Sequence, residues 1–131
     1  MPSISTGRRE GDPALAVSLG DHLLADLLDC DPRRLARLET VRPLLVRAVE
    51  ESGATPLRYS CHQFEPGGVT ALALIAESHV AIHTWPERNF AGVDVFTCGE
   101  SMDPHRAVQV IAEGLGARRV RITRVPRGIP R

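Results

Sequence analysis

The sequence predicts an α+β fold, a two-layer sandwich in which two helices cover one face of an antiparallel sheet. Four short segments within residues 57–98 are apolar or alternate apolar with polar side chains, as strands do. The connections between them are only a few residues long, which suits antiparallel neighbours, because parallel strands need long crossovers. A segment with a helix-start signal lies on either side of the four strands, and the two helices form the second layer.

The chain is short enough for one domain, at 131 residues. Its first 13 residues are polar, and we expect residues 1–13 to be a disordered leader ahead of a single domain over residues 14–131. Residues 14–29 are rich in leucine but contain Gly20, so their pattern allows either a strand or a helix. The type of the first element therefore stays open.

The first helix is predicted from the dipeptide Asp31-Pro32, because an aspartate caps free N–H groups and proline suits the first turn. A helical pattern follows over residues 33–51. Pro43 lies within this pattern and is expected to break the helix, since proline lacks the N–H that a helix interior needs. Thr40 is expected to cap the part that follows the break.

Four predicted strands come next, bounded by glycine, proline and other turn residues, at 57–64, 69–77, 79–85 and 90–98. The dipeptide Asp103-Pro104 repeats the helix-start signal, and a second helix is predicted to run to about Leu115. A last strand is predicted at residues 120–125.

The face of the sheet that the helices leave open also needs a cover. Valine, isoleucine and phenylalanine alternate with histidine, tryptophan and cysteine on several of the strands, which is poor material for a face in water. We therefore expect a homodimer in which the two sheets pack face to face.

The totals argue against several classes of partner. Arginine and the acidic residues number 16 each, so the formal net charge is zero and nothing indicates nucleic acid or an anionic membrane. No apolar run reaches membrane-spanning length, and the start lacks the hydrophobic core of a secretory signal, so a cytoplasmic protein is expected. Cys30, Cys61 and Cys98 are widely spaced and are predicted to be free thiols.

All sixteen basic residues are arginine, and the sequence contains no lysine. A lysine amine is what joins pyridoxal phosphate or a carbonyl substrate to an enzyme as a Schiff base. We therefore expect no pyridoxal phosphate, and amine–carbonyl chemistry in this protein must take its carbonyl from another group.

The stretch AESHVAIHTWPERNF, residues 76–90, is more polar than an ordinary core strand. Side chains alternate faces along a strand, so His83 and Trp85 share one face of the third predicted strand. Cys98 lies on a similar polar face of the next strand. If the two polar faces coincide, His83, Cys98 and Trp85 line one pocket beside Ser78.

Three interpretations of this stretch compete on spacing alone. His79 and His83 have the spacing of zinc ligands on a helix, but on a strand they lie about 13 Å apart, so a metal site is disfavoured. A serine or cysteine hydrolase is also disfavoured, because no GxSxG elbow or third catalytic member is recognisable. A purely structural interpretation stays open, in which the histidines are hydrogen-bonded core residues and Ser78 is a turn residue.

A family resemblance adds to this. The run ESHVAIHTWPE closely resembles the signature of the prokaryotic S-adenosylmethionine decarboxylases, the short class that makes its own pyruvoyl cofactor. Further segments resemble landmarks of the same family, in the same order: GDHLLADLLDC, ESGAT, HQF-x-P-x-GV, VDVFTCG and the helix that begins with Asp-Pro. The resemblance covers residues 17–131, nearly the whole chain.

The resemblance implies that the precursor cleaves itself between Glu77 and Ser78. The Ser78 hydroxyl would attack the Glu77 carbonyl carbon and turn the amide into an ester. Elimination of the ester and loss of ammonia would leave a pyruvoyl group at the start of chain 78–131, with chain 1–77 as the other product. This group supplies the carbonyl that no lysine can provide, and no metal is implied.

Family roles carry over to matching positions. His83 matches the histidine that assists processing as a proton-transfer group. Thr70 stands where the family commonly has a serine whose hydroxyl helps processing. Cys98 matches the proton donor of catalysis. The residues that match substrate contacts are two aromatic residues, Phe64 and Trp85, and Glu87, a carboxylate suited to ribose hydroxyls.

The implied reaction is decarboxylation of S-adenosylmethionine, which yields the aminopropyl donor for polyamine synthesis. Some relatives with the same processing motif decarboxylate arginine or ornithine, and these substrates are the alternative. A non-catalytic paralogue that regulates an active partner is a further alternative, which the presence of Ser78, His83 and Cys98 disfavours.

Overall fold

A computed structural model describes residues 2–6, 18–98 and 101–128. The strands are β1 (Ser3–Thr6), β2 (Gly20–Leu28), β3 (Pro56–Gln63), β4 (Val69–Ile75), β5 (Ser78–Trp85), β6 (Phe90–Thr97) and β7 (Arg119–Arg127). The helices are α1 (Pro32–Leu35), α2 (Leu38–Glu51) and α3 (Pro104–Gly114), and a single 3₁₀ turn covers Pro86–Arg88. Within the described residues, no helix is long and apolar enough to cross a membrane.

The strands form one seven-stranded sheet in the order β1-β7-β2-β6-β5-β4-β3. All neighbours are antiparallel except β1 and β7, which run parallel. The predicted α+β sandwich is therefore confirmed, with one parallel pair that was not expected. The four consecutive strands β3 to β6 are all present within two residues of their predicted ends.

The core lies between the sheet and the helices. Every second residue of the central strands points into it, among them Leu23, Ile82 and Val93, and it meets Leu45 of α2 and Ile111 of α3. These side chains are at most 2% exposed, and burying one of them contributes roughly 1.5–3 kcal/mol. Among the described residues, the helices thus cover one face of the sheet and leave the other open.

The break in the first helical segment lies at residues 36–37, so the prediction of a break at Pro43 with Thr40 as cap was wrong. Arg37 is extended (φ −123°, ψ 141°) and precedes α2, whereas Pro43 lies inside α2. A side chain that is distant in sequence explains why the break lies at residues 36–37. The Gln63 amide accepts a hydrogen bond from the Leu38 N–H (2.6 Å) and donates one to the Ala36 carbonyl (2.8 Å), which satisfies both ends of the break.

The N-terminal stretch differs from the predicted disordered leader over residues 3–6, which form β1 and pair with β7. Without β1, strand β7 would be a sheet edge with unpaired backbone groups. Residues 7–13 lie outside the described residues. Of the ambiguous stretch 14–29, the part from Gly20 onward is strand β2, paired on both sides.

The face opposite the helices, here called the open face, carries exposed apolar side chains. Leu24, Leu72, Leu74 and Trp85 are between 36% and 47% exposed. Polar side chains lie among them, including His22, His79, His83 and Asp94. Such a mixture supports the expectation of a second copy on this face, and that expectation stays a prediction.

The three cysteines are free thiols, as predicted. Cys30 is 3% exposed, and burial raises the pKa of its thiol to about 11, so it stays protonated at neutral pH. It is a small core side chain.

Removal of the Gln63 amide should destabilise the fold. Gln63→Leu leaves the Ala36 carbonyl and the Leu38 N–H without this partner, at a cost of about 2 kcal/mol. This cost in the free energy of unfolding is measured by urea unfolding. The chain used also carries Ser78→Ala, so that self-cleavage cannot alter the material. Gln109→Leu, which removes hydrogen bonds on the surface of α3, is the control and should change the free energy of unfolding by less than about 0.5 kcal/mol. Equal effects of the two substitutions would contradict the assignment.

Candidate active site

Ser78 is the first residue of β5 and follows the short turn Ala76-Glu77 that leaves β4. Its φ of 148° lies in the region that favours glycine. A residue with a side chain held there costs on the order of 1–3 kcal/mol and persists only where its surroundings enforce the conformation. The peptide bond between Glu77 and Ser78 therefore adjoins a strained residue.

The carbonyl oxygen of Glu77 accepts two hydrogen bonds from one residue. The N–H of Cys98 donates at 3.1 Å and its thiol donates at 3.1 Å. Cys98 is in reach because Ser78 pairs with Thr97, the last residue of β6. Two donors on a carbonyl polarise its carbon and can stabilise an oxyanion that forms there.

The side chain of Glu77 is also fixed. It is 8% exposed, and its carboxylate accepts hydrogen bonds from the Thr55 N–H (3.0 Å), the Thr55 hydroxyl (3.2 Å) and the Ser101 hydroxyl (3.1 Å). The bond from the Thr55 backbone is the main reason why the pKa of Glu77 lies below its ordinary value. The carboxylate is therefore ionised at neutral pH.

A second group of predicted site residues lines a cleft of about 270 Å³ at the opposite end of β5. Its members are Phe64, Thr70, His83, Trp85 and Glu87. The Thr70 hydroxyl lies 3.3 Å from Nδ1 of His83, within hydrogen-bond distance. Phe64 and Trp85 are about half exposed, so their rings are available to a ligand.

The two groups are well separated within one chain. Ser78 and His83 lie five residues apart on β5, which is about 16 Å at the usual rise per residue. The prediction that His83, Cys98 and Trp85 line one pocket beside Ser78 was therefore wrong for a single chain. Alternation sets the face of a side chain, but its position along the neighbouring strand follows from the register, which places Cys98 at the Ser78 end.

The family model for S-adenosylmethionine decarboxylase matches residues 21–128. The chain belongs to the S-adenosylmethionine decarboxylase family. The resemblance found in the sequence is thereby confirmed.

Several members of the family are close in sequence and in structure. An S-adenosylmethionine decarboxylase proenzyme of Thermodesulfovibrio yellowstonii is 46% identical over 86% of this chain and 83% of the relative. One of Parasynechococcus marenigrum is 48% identical over 77% of this chain and 79% of the relative. The crystal structure of the adenosylmethionine decarboxylase from Aquifex aeolicus matches with a TM-score of 0.78 at 41% identity, over 87% of this chain and 94% of that chain.

Asp94 is a residue of this family member to which the sequence assigned no role. Its carboxylate oxygens lie 3.6 Å from Nε2 of His83 and 3.5 Å from Nε2 of His22. Alternation places Asp94 on a polar face, but only the pairing of β6 with β5 and β2 brings it between the two imidazoles. A carboxylate at this distance attracts either imidazole ring when that ring is protonated.

His79 occupies the part of the open face near Ser78. Its ring stacks on Phe96, with centroids 5.9 Å apart. Burial lowers the pKa of His79 below its ordinary value of 6.5, the charge of His22 lowers it further, and Asp94 opposes both. The folded protein therefore disfavours a charged His79. Among the described residues, no cluster of three or more histidine, cysteine or acidic side chains is arranged to hold a metal ion.

Acid should weaken the fold through His79. Its folded-state pKa is below its unfolded-state pKa, so the unfolded chain binds the proton first as the pH falls through 6.5. The contribution to stability is therefore full above this pH and is lost below it. Urea unfolding of the Ser78→Ala chain between about pH 8 and 5.5 should show this loss, and His79→Gln should reduce it.

His105→Gln, a histidine change in α3 away from the open face, is the control for this titration. It should leave the pH dependence of the parent chain intact. An unchanged slope in the His79→Gln chain would show that another group is responsible.

Proposed function

We propose that this protein is a self-processing, pyruvoyl-dependent decarboxylase that converts S-adenosylmethionine into the aminopropyl donor of polyamine and spermidine synthesis. The observation that carries the proposal is the peptide bond between Glu77 and Ser78, with a strained serine on one side and a doubly hydrogen-bonded carbonyl on the other. Membership of the family and relatives named as proenzymes support it. These names favour S-adenosylmethionine over arginine or ornithine as substrate.

The first chemical step is an acyl shift within the chain. The Ser78 hydroxyl attacks the Glu77 carbonyl carbon, the C–N bond breaks as the hydroxyl proton passes to the departing nitrogen, and the amide becomes an ester with a free amine on residue 78. The N–H and thiol of Cys98 hold the negative oxygen of the intermediate. Release of backbone strain at Ser78 lowers the barrier further, because the strained φ belongs to the reactant.

The second step is elimination. A base removes the α-proton of residue 78, and the main-chain carboxylate of residue 77 leaves as the new C-terminus of chain 1–77. Water then hydrolyses the remaining dehydroalanine, which releases ammonia and leaves the pyruvoyl carbonyl. The residues present fit a pyruvoyl group formed in this way at residue 78, beside the Cys98 thiol. When formed, that group supplies the electron-withdrawing carbonyl that drives loss of CO₂.

His83 and Thr70 of the same chain lie about 16 Å from Ser78, too far to accept its α-proton. In the proposed homodimer, a two-fold axis crossing β5 near its middle reverses the strand direction between the two sheets. His83 and Thr70 of one copy then face Ser78 and Cys98 of the other, and the apolar side chains of the open face become buried. Such a contact is self-complementary, as two-fold interfaces are.

Substrate would bind in the cleft beside His83 of one copy, which the proposed dimer brings against residue 78 of the other. Phe64 and Trp85 offer ring faces to adenine and to the sulfonium cation, and Glu87 offers a carboxylate to the ribose hydroxyls. Cys98 lies beside residue 78 and would give a proton to the carbon that has lost CO₂.

The proposed function is tested by intact mass and by CO₂ release. We expect purified protein to consist of fragments 1–77 and 78–131, the second with a blocked N-terminus, and to release CO₂ from S-adenosylmethionine but not from arginine or ornithine. Ser78→Ala should leave one uncleaved chain, because no hydroxyl can attack, whereas Ser3→Ala should cleave normally. Persistence of the parent protein as one inactive chain would refute the proposal and favour a regulatory protein.

The shared site is tested by mixing two inactive variants. Ser78→Ala and His83→Ala should each fail to cleave when expressed alone. When they are co-expressed in equal amounts, random pairing makes about half of the dimers mixed, so about half of the His83→Ala chains should be cleaved. Mass spectrometry distinguishes the chains, and the Ser78→Ala chain should remain whole. A complete lack of cleavage in the mixture would show that His83 acts only on its own chain.

A further inference from the structure

The carboxylate of Glu77 is held by two residues that come from different parts of the chain. Thr55 follows α2 and contributes its N–H and its hydroxyl, and Ser101 precedes α3 and contributes its hydroxyl. The carbonyl of Thr55 also accepts a hydrogen bond from the N–H of Ala76 at 2.9 Å. Thr55 thus contacts both residues of the turn that precedes Ser78.

These contacts join two loops around the turn. The N–H of Asp103 donates to the carbonyl of Ser52 at 2.8 Å, so the loop after α2 and the segment before α3 are tied together. The turn at residues 76–77 is therefore held by both loops, in addition to the strands on either side of it.

Strain at Ser78 persists only if the chain is held in place on both sides of this residue. A residue in an unfavourable backbone conformation relaxes unless its neighbours are fixed on both sides. After Ser78, the pairing of β5 with β4 and β6 fixes the chain. Before Ser78, Cys98 holds only the carbonyl oxygen of Glu77, and a carbonyl group can still pivot about a single anchored atom. The carboxylate of the same residue provides the second anchor.

We infer that Thr55 and Ser101 are positioning residues for self-cleavage: by anchoring the Glu77 side chain they hold the carbonyl carbon against the Ser78 hydroxyl and keep Ser78 strained. The inference rests on the proposed function, because it concerns the rate of that cleavage. Both residues act through Glu77 and touch no substrate. The lowered pKa of Glu77 agrees with a carboxylate that stays charged and held at neutral pH.

The experiment follows the conversion of newly made precursor into its two fragments by intact mass. Thr55→Val removes the hydroxyl and keeps the shape and the N–H, and Ser101→Ala removes the other hydroxyl. Each substitution deletes one hydrogen bond to a charged group, so each should slow cleavage roughly tenfold. The double variant should be slower than either. Thr55→Ser restores the hydroxyl and should cleave within about twofold of the parent rate.

Thr40→Val is the matched control, since it makes the same chemical change in α2, where no hydrogen bond to Glu77 exists. It should cleave at the parent rate.

A second measurement separates positioning from general stability. Each substitution also removes a hydrogen bond from the Glu77 carboxylate, so the thermal unfolding midpoint of the uncleavable Ser78→Ala chain should fall by only a few degrees and stay well above the assay temperature. Slow cleavage of a precursor that stays folded at the assay temperature, restored by Thr55→Ser, supports the inference.

Three results would overturn it: cleavage of Thr55→Val and Ser101→Ala at the parent rate, an equal slowing by Thr55→Ser, or a slowing matched by a large fall in the unfolding midpoint. A parent chain that never cleaves would refute the proposed function itself, which distinguishes the two failures.

Discussion

The register of β5 between β4 and β6 is the constraint on which the site depends. Pairing of Ser78 with Thr97 brings Cys98 to the Glu77 carbonyl, and pairing of Thr70 with His83 brings a hydroxyl to an imidazole. A shift of one residue would move the side chains of β5 to the opposite faces of the sheet. The buried residues Val80, Ile82 and Thr84 prevent this shift, because they would have to leave the core. Hydrophobic packing on the helix face therefore sets the register that positions the site.

The same register explains why the candidate residues divide into two groups. A strand of eight residues is long enough to hold Ser78 at one end and His83 near the other, and nothing in the described part of one chain brings the ends together. At one end are a strained peptide bond and the hydrogen-bond donors around it. At the other are the aromatic cleft, Glu87 and the hydrogen-bonded pair Thr70 and His83. Each end holds a part of the chemistry that the other lacks, and an open apolar face between them suits a second copy.

Polar contacts restrict the turn around the peptide bond between Glu77 and Ser78. The Glu77 carbonyl is held by Cys98 and the Glu77 carboxylate by Thr55 and Ser101. These contacts link three segments that are far apart in sequence, so strain at Ser78 is maintained by tertiary structure rather than by the turn alone. Self-cleavage in this view is a property of the folded chain, since an unfolded chain has neither the strain nor the donors.

By itself, the sequence determined the α+β class, four consecutive strands, both Asp-Pro helix starts and the family, because period, turn chemistry and a long motif are local signals. Only the tertiary structure decided where the first helix breaks, since the Gln63 amide meets that break from 25 residues away. It also decided that Ser78 and His83 lie apart, that Asp94 sits between two histidines, and that Thr55 and Ser101 reach Glu77. A local pattern indicates which face of a strand a side chain lies on. The neighbours of that side chain depend on strand register and on contacts between distant loops, and no short stretch of sequence encodes either.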